Sequence, residues 1–341
     1  MNIQITKAAA ADRAIAPGIL SLVGGTPLVR FTGYLGDPDV ELIVKYEAAN
    51  PGGSAKDRPA RQMIEQALRR GDLTPGATVI ESTSGNMGIG LAQACRVHGL
   101  KLICVVDPKA QPQNVAIMRA LGAQIHLVTD PIDGDFLAAR MEAVGQLLDQ
   151  TPGAFWTNQY ANLDNPTAHT EGTMQEIDDI LGGTVDALFV ATSSTGTARG
   201  CRDFLERRGR KTEVVAVDAE GSCLFDGTAG PRHIPGMGAG RIPALAEGQR
   251  FDGLERVSDL TCVVGCRRAA QREAVLVGGS AGGVLEAVRA RRAQLRGKRV
   301  VAILHDSGTR YLDTVFNDEW VERTLGVSAQ DLAGMVGADE R

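Results

Sequence analysis

"NPGGSAKDRPA", residues 50–60, places one lysine, Lys56, between a glycine turn and a helix start. Upstream, the apolar run "ELIVKYE" (41–47) reads as a buried strand. Downstream, "DRPARQMIEQALRRG" (57–71) sets Ala60, Met63, Ile64, Ala67 and Leu68 at helical spacing, carries Pro59 near the first turn and stops at Gly71. Lys56 thus lies at a strand-to-helix junction. Outward from this unit the pattern repeats. "ATVIES" (77–82), "KLICVVD" (101–107), "AQIHLV" (123–128), "DALFVAT" (186–192), "EVVAVD" (213–218) and "KRVVAILH" (298–305) alternate with segments of helical length. That alternation predicts an α/β fold of two open, parallel-rich sheets covered by helices, with ligands bound at the carboxyl ends of the strands.

A chain of 341 residues is long enough for two cores. "DQTPGAF" (149–155) is the best place for the chain to cross between them, so a smaller domain is expected at 48–152 and a larger one at 1–47 plus 153–325, followed by a flexible tail at 326–341. A net charge of -5 without a basic block argues against nucleic-acid partners. No apolar run has the length of a membrane span and the first residues lack a signal-type apolar stretch, so a cytoplasmic protein with no membrane partner is expected. The six cysteines read as small buried hydrophobes, and the five histidines show no metal-ligand spacing, so no metal is expected.

Three loops follow strands and carry polar side chains. Glycines before Lys56 allow close backbone approach to a ligand, the helix start behind it can receive an anion, and a lysine so placed can form a Schiff base. "ESTSGNMGIGLA" (81–92) ends a strand in Ser82, Thr83 and Ser84 and opens a helix, an arrangement that suits a carboxylate. "VATSSTGTARG" (190–200) supplies Ser193, Ser194, Thr195, Gly196 and Thr197 before another helix, where hydroxyls and N–H groups can bind a phosphate without a lysine. It lacks the Gly-Lys-Ser/Thr of a nucleotide-binding P-loop, and "GMGAG" (236–240) lies in a loop between prolines and not at a strand end.

These loops, in this order and together with "GGSAGG" (278–283), resemble the fold-type II pyridoxal-phosphate enzymes of the cysteine synthase and cystathionine β-synthase family over about residues 15–325. The resemblance implies a tryptophan synthase β-subunit-like fold, a small substrate-binding and a large cofactor-binding domain, and a homodimer. It implies that Lys56 holds pyridoxal 5'-phosphate as an internal aldimine and serves as base, that Asn86 hydrogen-bonds the cofactor's ring hydroxyl, that residues 193–197 hold its phosphate, and that Ser280 faces its ring nitrogen. In "WTNQYANLDNP" (156–166), Gln159 would join Thr83 and Ser84 on the substrate carboxylate. The implied chemistry is β-elimination to an aminoacrylate followed by addition of a nucleophile.

Departures from the family pattern bear on the substrates. Tyr160, Ser193 and Arg241 stand where cysteine synthases usually carry phenylalanine, glycine and phenylalanine, and His305 stands where they carry proline. Extra polar groups suit a larger, more anionic substrate pair. "CVVDPKAQPQN" (104–114), "VDAEGS" (217–222), "PGMGAGRIP" (235–243) and "RYLDTVFNDEW" (310–320) resemble a narrower group within the family. Its synthases join O-phospho-L-serine to L-glutamate, giving N-(2-amino-2-carboxyethyl)-L-glutamate and phosphate for the 2,3-diaminopropionate of staphyloferrin B-type siderophores. On that reading Arg241 meets the phosphate or a glutamate carboxylate, Tyr160 borders the substrate, and His305 is structural. The alternatives are a cysteine synthase using O-acetylserine or O-phosphoserine with sulfide and, from another class, a non-catalytic binding or regulatory protein on the same fold.

Overall fold

The computed structural model describes residues 15–338. Its strands are β1 (Leu28–Phe31), β2 (Glu41–Tyr46), β3 (Thr78–Ser82), β4 (Lys101–Val106), β5 (Gln124–Leu127), β6 (Phe155–Trp156), β7 (Ala187–Ala191), β8 (Glu213–Ala219), β9 (Gly253–Val257) and β10 (Arg299–Leu304). Its α-helices are α1 (Asp57–Arg70), α2 (Asn86–Val97), α3 (Pro112–Ala120), α4 (Phe136–Gln150), α5 (Asp164–Ala168), α6 (Gln175–Leu181), α7 (Gly196–Arg207), α8 (Asp259–Glu273), α9 (Gly279–Ala290), α10 (Asp318–Leu325) and α11 (Ala329–Gly337).

The strands form two sheets, one in the order β1-β2-β10-β7-β8-β9 and one in the order β5-β4-β3-β6. Every pairing is parallel except that of β1 with β2. Burial on both faces explains the unbroken apolar strands: each residue of "ALFVA" in β7 is buried, as are the four central residues of β2. Each sheet has its own core, one around Val44, Phe189, Val217 and Leu285, the other around Met63, Ile64, Val79 and Leu91. This is the α/β architecture of two helix-covered, parallel-rich sheets expected from the sequence.

Three strands were not read from the sequence. β1 is short, half-exposed and carries Arg30; β6 has two residues; β9 has the mixed pattern "GLERV". Pairing with a longer neighbour, not propensity, makes them strands. Because β6 pairs with β3, the four-stranded sheet extends past the chain crossing expected at 152/153.

The tail also differs from expectation. Residues 329–337 form α11 with Leu332 and Val336 buried in the larger core. Its last carbonyls, which have no partner inside the helix, accept from arginines: Arg268 reaches Val336 O at 3.2 Å and Met335 O at 2.8 Å, and Arg289 reaches Ala338 O at 2.8 Å. Those donors sit on α8 and α9, far away in sequence. The expected flexibility of residues 339–341 lies outside the described residues.

Candidate functional site

The sequence-selected loops converge at the carboxyl ends of the parallel strands. Lys56 precedes the first turn of α1, and its backbone carbonyl accepts from Ala60 N. Its amine has no hydrogen-bond partner among the described residues, and burial pushes its pKa down against the opposing charges of Asp306 and Glu47. Asp306 follows β10 and is buried; Oδ2 accepts from Asn86 Nδ2 at 2.8 Å and from the Tyr311 hydroxyl at 2.6 Å, while Oδ1 has no partner. Burial raises the Asp306 pKa, so burial pushes carboxyl and amine alike toward neutrality.

Asn86 opens α2 and is gripped from both sides, by Asp306 on its amide nitrogen and by Arg310 on its amide oxygen. His305 is buried beside Lys56, held neutral with a pKa near 3 by burial and the lysine's charge, and neither ring nitrogen has a partner among the described residues. Ser280 lies in the first turn of α9 with 3% exposure, next to Gly278, whose N–H donates to Asp306 O at 3.1 Å.

The carboxylate loop adjoins this centre. Thr83 Oγ1 accepts from Gly88 N at 3.1 Å, Ser84 O accepts from Asn114 Nδ2 at 3.5 Å, and buried Ser82 Oγ has no partner. Gln159 Nε2 donates to Ser82 O and to Glu81 Oε1, each at 3.4 Å. Asn165 bridges to the next loop, donating to Gln159 O at 2.7 Å and to Ser194 Oγ at 3.5 Å.

In that next loop Thr195 takes a left-handed conformation (φ 66°) and α7 begins at Gly196, where any Cβ would collide with Asn165. Gln249 donates to Thr195 Oγ1 at 2.9 Å. Thr197 Oγ1 lies 3.2 Å from Nε2 of His169, a fully buried ring on a π-helical turn that burial keeps neutral. The loop therefore gathers hydroxyls and the backbone N–H groups of a helix start, the donor set a phosphate needs.

These observations fit pyridoxal 5'-phosphate. A half-buried amine without a hydrogen-bond partner, partnerless buried polar atoms on Ser82, His305 and Asp306, and a hydroxyl-rich helix start at α7 are costly features in a protein interior without an occupant.

Beyond the cradle, Tyr160, Ser193 and Arg241 line one cleft of about 850 Å³. Burial raises the Tyr160 hydroxyl pKa. The Arg241 guanidinium is half-exposed and bound to Asp135 Oδ2 at 2.7 Å, the same aspartate whose Oδ1 caps α4 through Leu137 N and Ala138 N. Sequence reasoning missed three other cations on the cleft wall, Lys109, Arg140 and Arg232, as well as Asp306, Asn165 and His169. Asp306 had a legible signal, an acid directly after a buried strand. Arg140 and Arg232 had none, because their place depends on how the loops fold back.

Glu81 supplies a measurable consequence. It is buried, accepts from Thr157 and Gln159, and burial raises its pKa from 4.5 to about 7. Between those values the unfolded chain ionises while the folded chain keeps its proton, so this group's contribution to stability falls as pH rises from 4.5 to 7 and then levels off. Glu81→Gln is expected to remove that fall. Urea midpoints at pH 5 and pH 8 that drop equally in both proteins would contradict it.

The family model described as "Pyridoxal-phosphate dependent enzyme" matches residues 19–306. The chain is 43% identical over 326 residues, covering 95% of it and 96% of the relative, to the N-(2-amino-2-carboxyethyl)-L-glutamate synthase of Ralstonia nicotianae. It is 40% identical to the enzyme of the same name from Cupriavidus metallidurans, over 91% of this chain and 92% of that one. Among solved structures it is similar to cysteine synthase from Entamoeba histolytica, with a TM-score of 0.86 and 30% identity over 98% of this chain and 99% of that one.

Proposed function

The chain belongs to the pyridoxal-phosphate dependent enzymes, and from that premise we propose that it joins O-phospho-L-serine to L-glutamate, giving N-(2-amino-2-carboxyethyl)-L-glutamate and phosphate. The glutamate nitrogen bonds to the serine Cβ and loses one proton. The Cβ–O bond breaks, and phosphate leaves with its electron pair. The observation that carries the choice within the family is the cleft in which Tyr160 and Ser193 share walls with Arg140 and Arg241, groups suited to a phosphate ester and out of proportion to acetate.

When bound, pyridoxal phosphate would hold the substrate amine covalently and accept electrons as the Cα–H bond breaks. Lys56 would be its anchor and, once displaced, would take the Cα proton at Nζ, a task that a pKa lowered by burial favours. Asn86 and Ser280 would orient the ring, and the Ser193–Thr197 loop would hold the phosphate. Ser82, Thr83, Ser84 and Gln159 would grip the substrate carboxylate. Arg241 would reach a substrate anion by exchanging Asp135 for it. An exposed ion pair of this kind is worth at most about 1 kcal/mol, so the exchange is cheap.

The homodimer, the cytoplasmic location, the division into a small substrate domain and a large cofactor domain, and the supply of 2,3-diaminopropionate to siderophores belong to the same proposal. Among the described residues no helix is long and apolar enough to cross a membrane.

The test is a mass analysis of products made by the cofactor-loaded protein from phosphoserine or O-acetylserine with glutamate or sulfide. The coupled glutamate product and stoichiometric phosphate are expected from the first donor and first acceptor. Cysteine as the only product, from O-acetylserine and sulfide, would replace this reading with a cysteine synthase.

A further inference from the structure

Next to Ser84 and Gly85 a second groove of about 880 Å³, continuous with the first cleft through the shared walls Lys109 and Arg232, runs between residues 109–114, the 230–238 loop and α10. Its lining includes Lys109, Arg232 and Arg323 and contains no aspartate or glutamate. In a chain of net charge -5 this is a local inversion of sign, and a confined wall of one sign concentrates the opposite ion.

None of the three cations has an ion-pair partner among the described residues. Lys109 Nζ lies 5.5 Å from the centroid of the Phe136 ring. Arg232 Nε is buried without a partner, and its Nη1 reaches only Met237 O at 3.4 Å. The bend at Gly238 (φ +76°) makes room for it, since a Cβ there would stand 2.7 Å from that Nη1. Arg323 is exposed on α10. His233, on the same wall, is tied to Asp259 at 2.9 Å.

Asn114, on α3, lies at the Ser84 end. It is 4% exposed, and its Oδ1 has no hydrogen-bond partner while its Nδ2 donates to Ser84 O. A buried acceptor left open calls for a donor. Three unmatched cations and one unmatched acceptor describe the complement of a dicarboxylic amino acid, whose amine donates and whose two carboxylates accept. Met237 and Trp320 also line the groove.

We propose that this groove is the subsite of the acceptor amino acid. Asn114 Oδ1 takes an N–H of the amine and aims the nitrogen at the donor substrate beyond Ser84, while Arg323, Arg232 and Lys109 take the carboxylates. The inference rests on the function proposed above and adds the residues that make glutamate, and not a neutral amine or sulfide, the acceptor.

The experiment uses the cofactor-loaded, full-length protein with Arg323→Glu, a change at an exposed position that folding tolerates. The glutamate KM is expected to rise by about tenfold or more, while the phosphoserine KM stays within about twofold and the preference for glutamate over glutamine shrinks. An unchanged glutamate KM overturns the subsite. So does an equal rise in both KM values, which would mean a general field and not a contact. If the wild-type protein makes no product from phosphoserine and glutamate, the functional reading falls and takes the subsite with it. If the wild-type makes it and the variant matches the wild-type, the subsite alone falls.

Discussion

Lys56→Ala is expected to lower turnover by at least about 10⁴-fold and to remove the absorbance band of cofactor joined to the protein. The substitution deletes the only amine, among the described residues, placed to serve as both anchor and proton acceptor at the proposed centre. It spares the fold, because the lysine side chain makes no hydrogen bond among the described residues and the backbone carbonyl that accepts from Ala60 N remains. Loss of activity with an unchanged thermal midpoint is therefore the expected pair of results. A purified Lys56→Ala protein that keeps the covalent band would remove Lys56 from its role and force a search for another amine. The buried Lys45 is the obvious candidate, but it is bound to Glu176 and Thr26 and lies on the strand instead of at its end.

The contrast between Lys45 and Lys56 shows what a sequence discloses. The position of Lys56 was legible because a strand, a glycine turn and a helix start surround it within a few residues, so local rules place it between the end of β2 and the start of α1. The same holds for Ser82–Ser84 and Ser193–Thr197. Lys45 sits within the apolar strand that helped to decide the fold, and nothing near it announces its partner Glu176. Arg241 shows a different limit. An arginine in place of an aromatic pointed to a substrate anion, and the structure gives it Asp135, an N-cap residue of α4 that no spacing argument links to it. The tail was read as loose because after an amphipathic turn or two it becomes small and charged, yet donors from α8 and α9 hold the end of α11. Elements fixed by neighbours in sequence could be read, and those fixed by neighbours in space could not.

The largest effect on stability is expected from that hidden layer. Arg58, two residues beyond Lys56, is 5% exposed and donates to Glu47 at 2.7 and 2.9 Å, to Glu176 at 2.6 and 2.8 Å and to Thr26 at 3.0 Å. It ties the end of β2 to α1 and α6 close behind the Lys56 turn. Replacing Arg58 with alanine leaves the carboxylate of fully buried Glu47 without its cation, a loss that costs about 3–5 kcal/mol when one partner of a buried pair is removed. Acid titration supplies an independent check. Burial alone would raise Glu176, but the hydrogen bonds and charge of Arg58, with help from Lys45, outweigh it and hold the pKa at about 2. A carboxyl depressed in the folded state adds stability above its unfolded pKa, and that stability drains away as pH falls from about 4.3 toward 2. Without Arg58 the folded pKa rises, so the variant should be much less stable than wild type at pH 7 and the gap should narrow at pH 3. Urea unfolding at the two pH values measures both statements. A difference below about 1 kcal/mol at pH 7, the size of a surface pair, would mean that water reaches Glu47 and that the cluster behind Lys56 is not a buried network.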